Sequence, residues 1–229
     1  MRKGACGQHR LMSCWGMSKR THGLPGSDAQ GILPYRIDPE PLKGATSFSG
    51  LPLVAEVFRA LGLDVAVAKL VGIKRRCKGA TDAQMVESFL LMLAGGGECI
   101  DDLKRLREEP ALGDLLGYVP PSPDAARHFL YGFHDEEILS KRPSTPNTAW
   151  TRLNVLVFNL LEVLKRTALP PSLKRARPKR LRFEIIRLAG VVVRHARCVT
   201  IKLACSAARI AQMIEARFQL AGMALALSG

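Results

Sequence analysis

The stretch NTAWTRLNVLVFNLLEVLKRTALPP, residues 147–171, carries the strongest helical signal in the chain. Leu153, Leu156, Val157, Leu160, Leu161 and Leu164 recur at steps of three and four, which places them on one wide apolar stripe of an α-helix. Asn147 or Thr148 is suited to cap its start. Pro170-Pro171 ends it, because proline has no N–H and collides with the preceding turn. A stripe this wide requires a partner surface.

Upstream the pattern stays helical. Leu53, Val54, Val57, Phe58 and Leu61 predict a helix that opens near Pro52 and stops at Gly62, and a shorter one covers Asp64 to Val71. Gly72 to Gly79 is a basic loop with Lys74, Arg75, Arg76 and Lys78. Thr81 and Gln84 have the spacing of a capping box ahead of the stripe Val86, Phe89, Leu90 and Leu93, and Gly95-Gly96-Gly97 terminates that helix. Asp101 and Asp102 then precede Lys104, Arg105 and Arg107, the charge order a helix dipole favours, with Ile100, Leu103 and Leu106 as the buried edge. Ser122-Pro123 opens a helix through Phe129, Leu130 and Phe133. Residues 50–134 thus read as a helical domain with tight turns, similar in spacing to a helix-turn-helix unit. In such a unit the helix from Pro123 would present Arg127, His128 and Tyr131 to DNA bases.

Downstream the reading divides. Phe183, Ile186, Gly190 and Val193 fit one helical face, whereas Cys198 to Leu203 alternates as a strand would. An alanine-rich helix covers Ser206 to Ala226. The expected fold class is mainly α: a small helical N-terminal domain over 32–143, a junction at 144–147 and a basic helical segment over 148–229, with one orphan strand near 198–204. Residues 1–31 show no periodicity and read as a disordered leader.

The net charge of +14 is unevenly placed. Residues 165–209 hold 13 Lys and Arg against Glu184 alone, whereas residues 31–164 hold 15 basic and 17 acidic residues. A phosphate backbone is the commonest partner for such a segment. Lys174, Arg175, Arg177, Lys179, Arg180 and Arg182 are the candidate phosphate contacts, and Arg127 and His128 the candidate base contacts. No apolar run approaches the roughly 18–20 residues that span a bilayer, and no secretory signal follows Met1-Arg2-Lys3. The scattered cysteines read as reduced thiols in a cytoplasm. Cys6, His9, Cys14 and His22 match zinc spacing poorly, so no metal is expected.

Many separate phrases appear in one order. They include Leu33-Pro34-Tyr35-Arg36-Ile37, Gly50-Leu51-Pro52-Leu53, Leu91-Met92-Leu93-Ala94-Gly95-Gly96-Gly97, Asp101-Asp102-Leu103, Pro110-Ala111-Leu112 and Pro121-Ser122-Pro123. Later come Ala149-Trp150-Thr151-Arg152-Leu153, Ala176-Arg177-Pro178-Lys179-Arg180 and Val193-Arg194-His195-Ala196-Arg197. The chain in this respect resembles bacterial insertion-sequence DDE transposases of the group 1 branch, over residues 32–143 and 147–217. The resemblance implies DNA as partner, a place in the cytoplasm at the nucleoid, and, in intact relatives, Mg2+ held by two aspartates and a glutamate of an RNase H-like core. That core should lie between the two matched regions, which here meet near 143–147, so the resemblance implies an internally deleted remnant.

The residues agree that no acid triad survives. No Asp follows Asp135, and from 138 onward only Glu162, Glu184 and Glu215 are acidic. Asp101 and Asp102 are neighbours on one helix and diverge by about 100°, too far to share a metal. No cofactor and no strand-transfer chemistry are therefore expected. The leading expectation is nonspecific DNA binding. The alternatives are a protein that pairs with and inhibits an intact transposase subunit through the Leu153–Leu164 face, and a product without function.

Overall fold

The structure, a computed structural model, describes residues 44–74, 78–134, 146–195 and 198–228. Its element order is β1 (Ala45–Thr46), α1 (Leu51–Ala60), α2 (Leu63–Leu70), α3 (Asp82–Ala94), a 3-10 turn (Ile100–Asp102) running into α4 (Leu103–Arg107), α5 (Pro110–Leu116) and α6 (Pro123–Tyr131). Then come α7 (Pro146–Thr167), the one-turn helix α8 (Pro178–Leu181) continuing into a π-helical turn (Arg182–Ile186), β2 (Gly190–His195), β3 (Cys198–Leu203) and α9 (Ala207–Ser228). The leader over 1–31 and the link at 135–145 lie outside the described residues.

The local signals operate as side-chain chemistry requires. Thr81 Oγ1 accepts from Gln84 N at 3.2 Å, and Gln84 Oε1 accepts from Thr81 N at 2.9 Å, which closes the capping box of α3. Ser122 Oγ accepts from Ala125 N at 3.2 Å at the start of α6. Asp82 accepts from the amides of Ile73 and Lys74, both at 3.1 Å, and so ties the preceding loop to α3.

Helix α3 is buried on nearly every side, from Met85 through Ala94. Its sequence stripe is narrower than that, but α1 and α2 cover one side and α7 another. Glu87, buried in this helix, takes a two-pronged ion pair from Arg59 of α1, with contacts of 2.8 and 3.0 Å. Phe89 meets Trp150 of α7 edge to face at 6.1 Å. Leu153, Val157, Leu160, Leu161 and Leu164 of α7 join the same core. Burying side chains of this size contributes about 1.5–3 kcal/mol each.

A single hydrophobic core therefore spans the junction, and residues 44–134 and 146–228 form one body. The Leu153–Leu164 face is consumed inside the molecule, so it is not an exposed surface for pairing with a transposase. Helix α7 begins at Pro146, one turn-position ahead of the cap expected at Asn147 or Thr148. Helix α5, seven residues long, has too few turns to show a period in the sequence. It is short, starts at Pro110 and ends on Gly117 in the left-handed conformation, φ 81°.

The strand near 198–204 is not an orphan. It is β3, paired antiparallel to β2 with Gly190 opposite Leu203, and β2 pairs on its other side with β1, Ala45 opposite Val191. The helical face proposed for Phe183, Ile186, Gly190 and Val193 does not exist. Val191-Val192-Val193 is a β-branched run, which packs best on a pleated surface. Phe183 is 78% exposed.

Three backbone hydrogen bonds close the seam between the chain's two halves. Gly50 N donates to Ile186 O at 3.1 Å, Ser49 N to Leu188 O at 3.1 Å, and Val192 N to Gly44 O at 2.8 Å. The approach is so close that a Cβ on Gly50 would lie 1.8 Å from Ile185 O. Gly50→Ala is expected to lower stability by at least about 3 kcal/mol in chemical denaturation, since both obstructing groups are main chain. Gly222→Ala, in open space on α9, should be neutral or mildly stabilising.

Candidate nucleic-acid interface

The chain between α7 and β2 is built by alternation. Leu173, Ala176, Leu181, Ile185 and Ile186 are buried, and the residues between them face outward. Lys174, Arg175, Arg177 and Lys179 are exposed, and none has a carboxylate partner among the described residues. Arg180 is exposed but pairs with Glu184 at 2.6 Å, and Arg209 approaches the other oxygen of Glu184 at 3.9 Å. The sole acid between residues 163 and 214 thus offsets two cations and leaves the other four unopposed.

The loop is held in place from beneath. Lys165 of α7, buried, donates to Ala176 O at 3.3 Å and also forms an ion pair with Glu162. The Lys165 ammonium, followed by Arg166, keeps the Glu162 carboxyl below the usual carboxylate range. Nothing in the sequence around Lys165 marks it for this role. The i, i+3 spacing from Glu162 was readable, but the carbonyl it reaches lies on the far side of a double-proline turn.

Arg182 behaves differently from its neighbours. Its Nε donates to Ala94 O at 3.1 Å and its guanidinium to Leu93 O at 3.2 Å, so it closes the carbonyl end of α3. Its aliphatic stem lies over Gly96, which has φ 93°. The cation is spent on the fold, not presented to solvent with the others.

The candidate base contacts are also engaged. Arg127 pairs with Asp124 at 2.8 Å and with Asp101 at 2.5 Å, and these carboxylates raise its pKa further. His128 Nδ1 lies 2.7 Å from Asp124 O. Helix α6 is amphipathic, burying Ala126, Phe129 and Leu130 against the core, while Tyr131 is exposed. The structure brings Arg127 and His128 together on α6.

Asp101 and Asp102 face apart. Asp101 faces Arg127, whereas Asp102 turns back to accept from Glu98 N at 2.9 Å and Cys99 N at 3.2 Å. Among the described residues no three His, Cys, Asp or Glu side chains converge. Asp101 and Asp102 therefore do not supply a shared site for the pair of Mg2+ ions implied by the resemblance. Cys6, His9, Cys14 and His22 lie outside the described residues. No described helix is long and apolar enough to cross a membrane.

Two outcomes follow from these partners. Arg182→Ala should lower stability by about 1–3 kcal/mol, the cost of leaving helix-end carbonyls unsatisfied, without changing any salt-dependent binding. The amides of Glu98 and then Cys99 hold the Asp102 carboxyl below its ordinary value. A depressed folded pKa stabilises above the unfolded value, about 4, and the benefit disappears as pH falls through the folded value. The stability difference between the parent and Asp102→Asn should therefore be constant near neutrality and shrink in acid.

No family model, curated protein or solved structure matches this chain.

Proposed function

We propose that this chain is an internally deleted DDE transposase remnant, lacking the RNase H-like core, which binds nucleic acid without sequence preference and carries out no strand transfer. The observation that carries the binding half of the reading is the set of four unopposed cations, Lys174, Arg175, Arg177 and Lys179, on a loop whose buried side chains fix it to α7. Such a loop contacts phosphates, not base edges, and so supplies affinity and position without specificity. Its partner in this reading is duplex DNA at the nucleoid, in the cytoplasm. The engagement of Arg127 by Asp101 and Asp124, and of His128 by the Asp124 carbonyl, favours nonspecific binding over base reading.

The transposase half of the reading rests on the order of sequence phrases and on the missing acids. The competing inhibitor hypothesis loses the Leu153–Leu164 face on which it was built, because five of those six side chains are buried and Leu156 is partly buried against the core.

Fluorescence anisotropy with a 20-base-pair duplex, titrated across salt, tests the binding. Four phosphate contacts give a slope of log K against log salt of about −3.6. The variant Lys174→Ala with Arg175→Ala should flatten that slope by about 1.8, equally for unrelated sequences. A slope near zero, or one the double variant leaves intact, would remove the loop as the interface.

A further inference from the structure

We propose that Phe183 is a stacking platform for an unpaired base, so that the cationic surface binds DNA with a single-stranded stretch more tightly than an unbroken duplex. The inference rests on the nucleic-acid reading of the 174–179 loop and adds to it the form of DNA preferred. Phe183 is 78% exposed, and among the described residues it is the one large apolar side chain between 165 and 209 that is exposed. A ring left in water forfeits the burial that usually makes an aromatic stabilising. Its neighbours hold it there. Leu181 and Ile185 point into the core and are each 1% exposed. Arg182 is bound to the carbonyls of Leu93 and Ala94, and Glu184 pairs with Arg180 and Arg209. The backbone on both sides of position 183 is therefore fixed, with the ring outward.

The ring stands within the basic segment. Helix α8 continues into the π-helical turn, so Lys179 and Phe183, four residues apart, share one side of it. The contact of Arg180 with Glu184, also four apart, shows that this spacing brings side chains together here. Lys179 is exposed and has no carboxylate partner among the described residues, and the exposed cations Lys174, Arg175 and Arg177 precede it.

An occupant of this surface must offer negative charge and, about 6 Å along the helix from it, a flat apolar face. A nucleotide whose base is unstacked offers both: its phosphate meets Lys179 and its base lies on the ring. In an unbroken duplex each base is covered by its neighbours, and the ring gains nothing. A lipid surface answers the charge, but it takes up the apolar face of a helix, and a single ring is not such a face.

The test compares, by fluorescence anisotropy with the full chain, a blunt 20-base-pair duplex and the same duplex with a tail of six thymines. The tailed duplex should bind at least about fivefold more tightly. Phe183→Ala, at an exposed position, should keep the circular dichroism spectrum, remove that advantage and leave the blunt duplex unaffected. Phe183→Trp should preserve the advantage, whereas Phe183→Leu, which keeps bulk without a ring, should lose it. Stacking releases no counterions, so Phe183→Ala should weaken the tailed duplex by the same factor at every salt concentration, with the salt slope unchanged. With 5-iodouracil in place of a tail thymine, irradiation should crosslink the strand to Phe183, as read by peptide mass spectrometry.

The proposal is overturned if blunt and tailed duplexes bind alike, if Phe183→Leu keeps the advantage, or if Phe183→Ala weakens both DNAs equally. None of these outcomes alters the salt slope that tests the cationic loop. A parent chain that binds neither DNA overturns the proposal together with the reading it rests on. A Phe183→Ala variant that detaches from phosphatidylserine vesicles but keeps its preference for the tailed duplex would assign the ring to a lipid surface and overturn the proposal.

Discussion

The amide of Gly50 donates to the carbonyl of Ile186, and the space there admits no side-chain carbon. Most of the structure depends on this approach. It sets the start of α1 against the turn that leads into β2, and so brings two segments more than 130 residues apart in sequence into one sheet. With α1 placed, α9 packs along it, and Arg217 reaches Glu56. With the 182–186 turn placed, Arg182 reaches the carbonyl end of α3. A bulkier residue at position 50 would separate all of these contacts together, because the obstruction is backbone on both sides.

The parts of the fold that were legible in the sequence are those set by local chemistry. The capping box at Thr81, the Ser122-Pro123 start and the stripe of α7 all depend on residues within a few positions of one another. What was not legible depends on distant partners. The stretch from Phe183 to Val193 satisfies both a helical and an extended pattern, and from Gly190 onward the choice is made by pairing with Cys198–Leu203 on one side and with Ala45 and Thr46 on the other. Helix α5 has too few turns to show a period. At the candidate interface, the exposure of Lys174, Arg175, Arg177 and Lys179 could be anticipated from charge alone. The inward use of Arg182 could not, since its acceptors lie 88 and 89 residues away.

The same packing bears on function. A basic tail would bind a polyanion with a large loss of chain entropy, whereas a loop anchored by Leu173, Ala176 and Leu181 has already met much of that cost on folding. The cations are then part of a surface with a shape. Helix α7 contributes doubly: its apolar stripe completes the core around α3, and Lys165 at its end holds the loop that carries the charge.

The central claim is that the two ends of this chain fold as one cooperative unit. Urea unfolding of the full chain with Trp15→Phe, followed both by far-UV circular dichroism and by the fluorescence of Trp150, tests it most directly when set beside the isolated 32–143 fragment. The account predicts coincident transitions for the two probes and a markedly steeper urea dependence than the fragment shows, because α7, the sheet and α9 bury their surfaces in the same step. A fragment that unfolds with the midpoint and slope of the full chain, or two separated transitions, would contradict it.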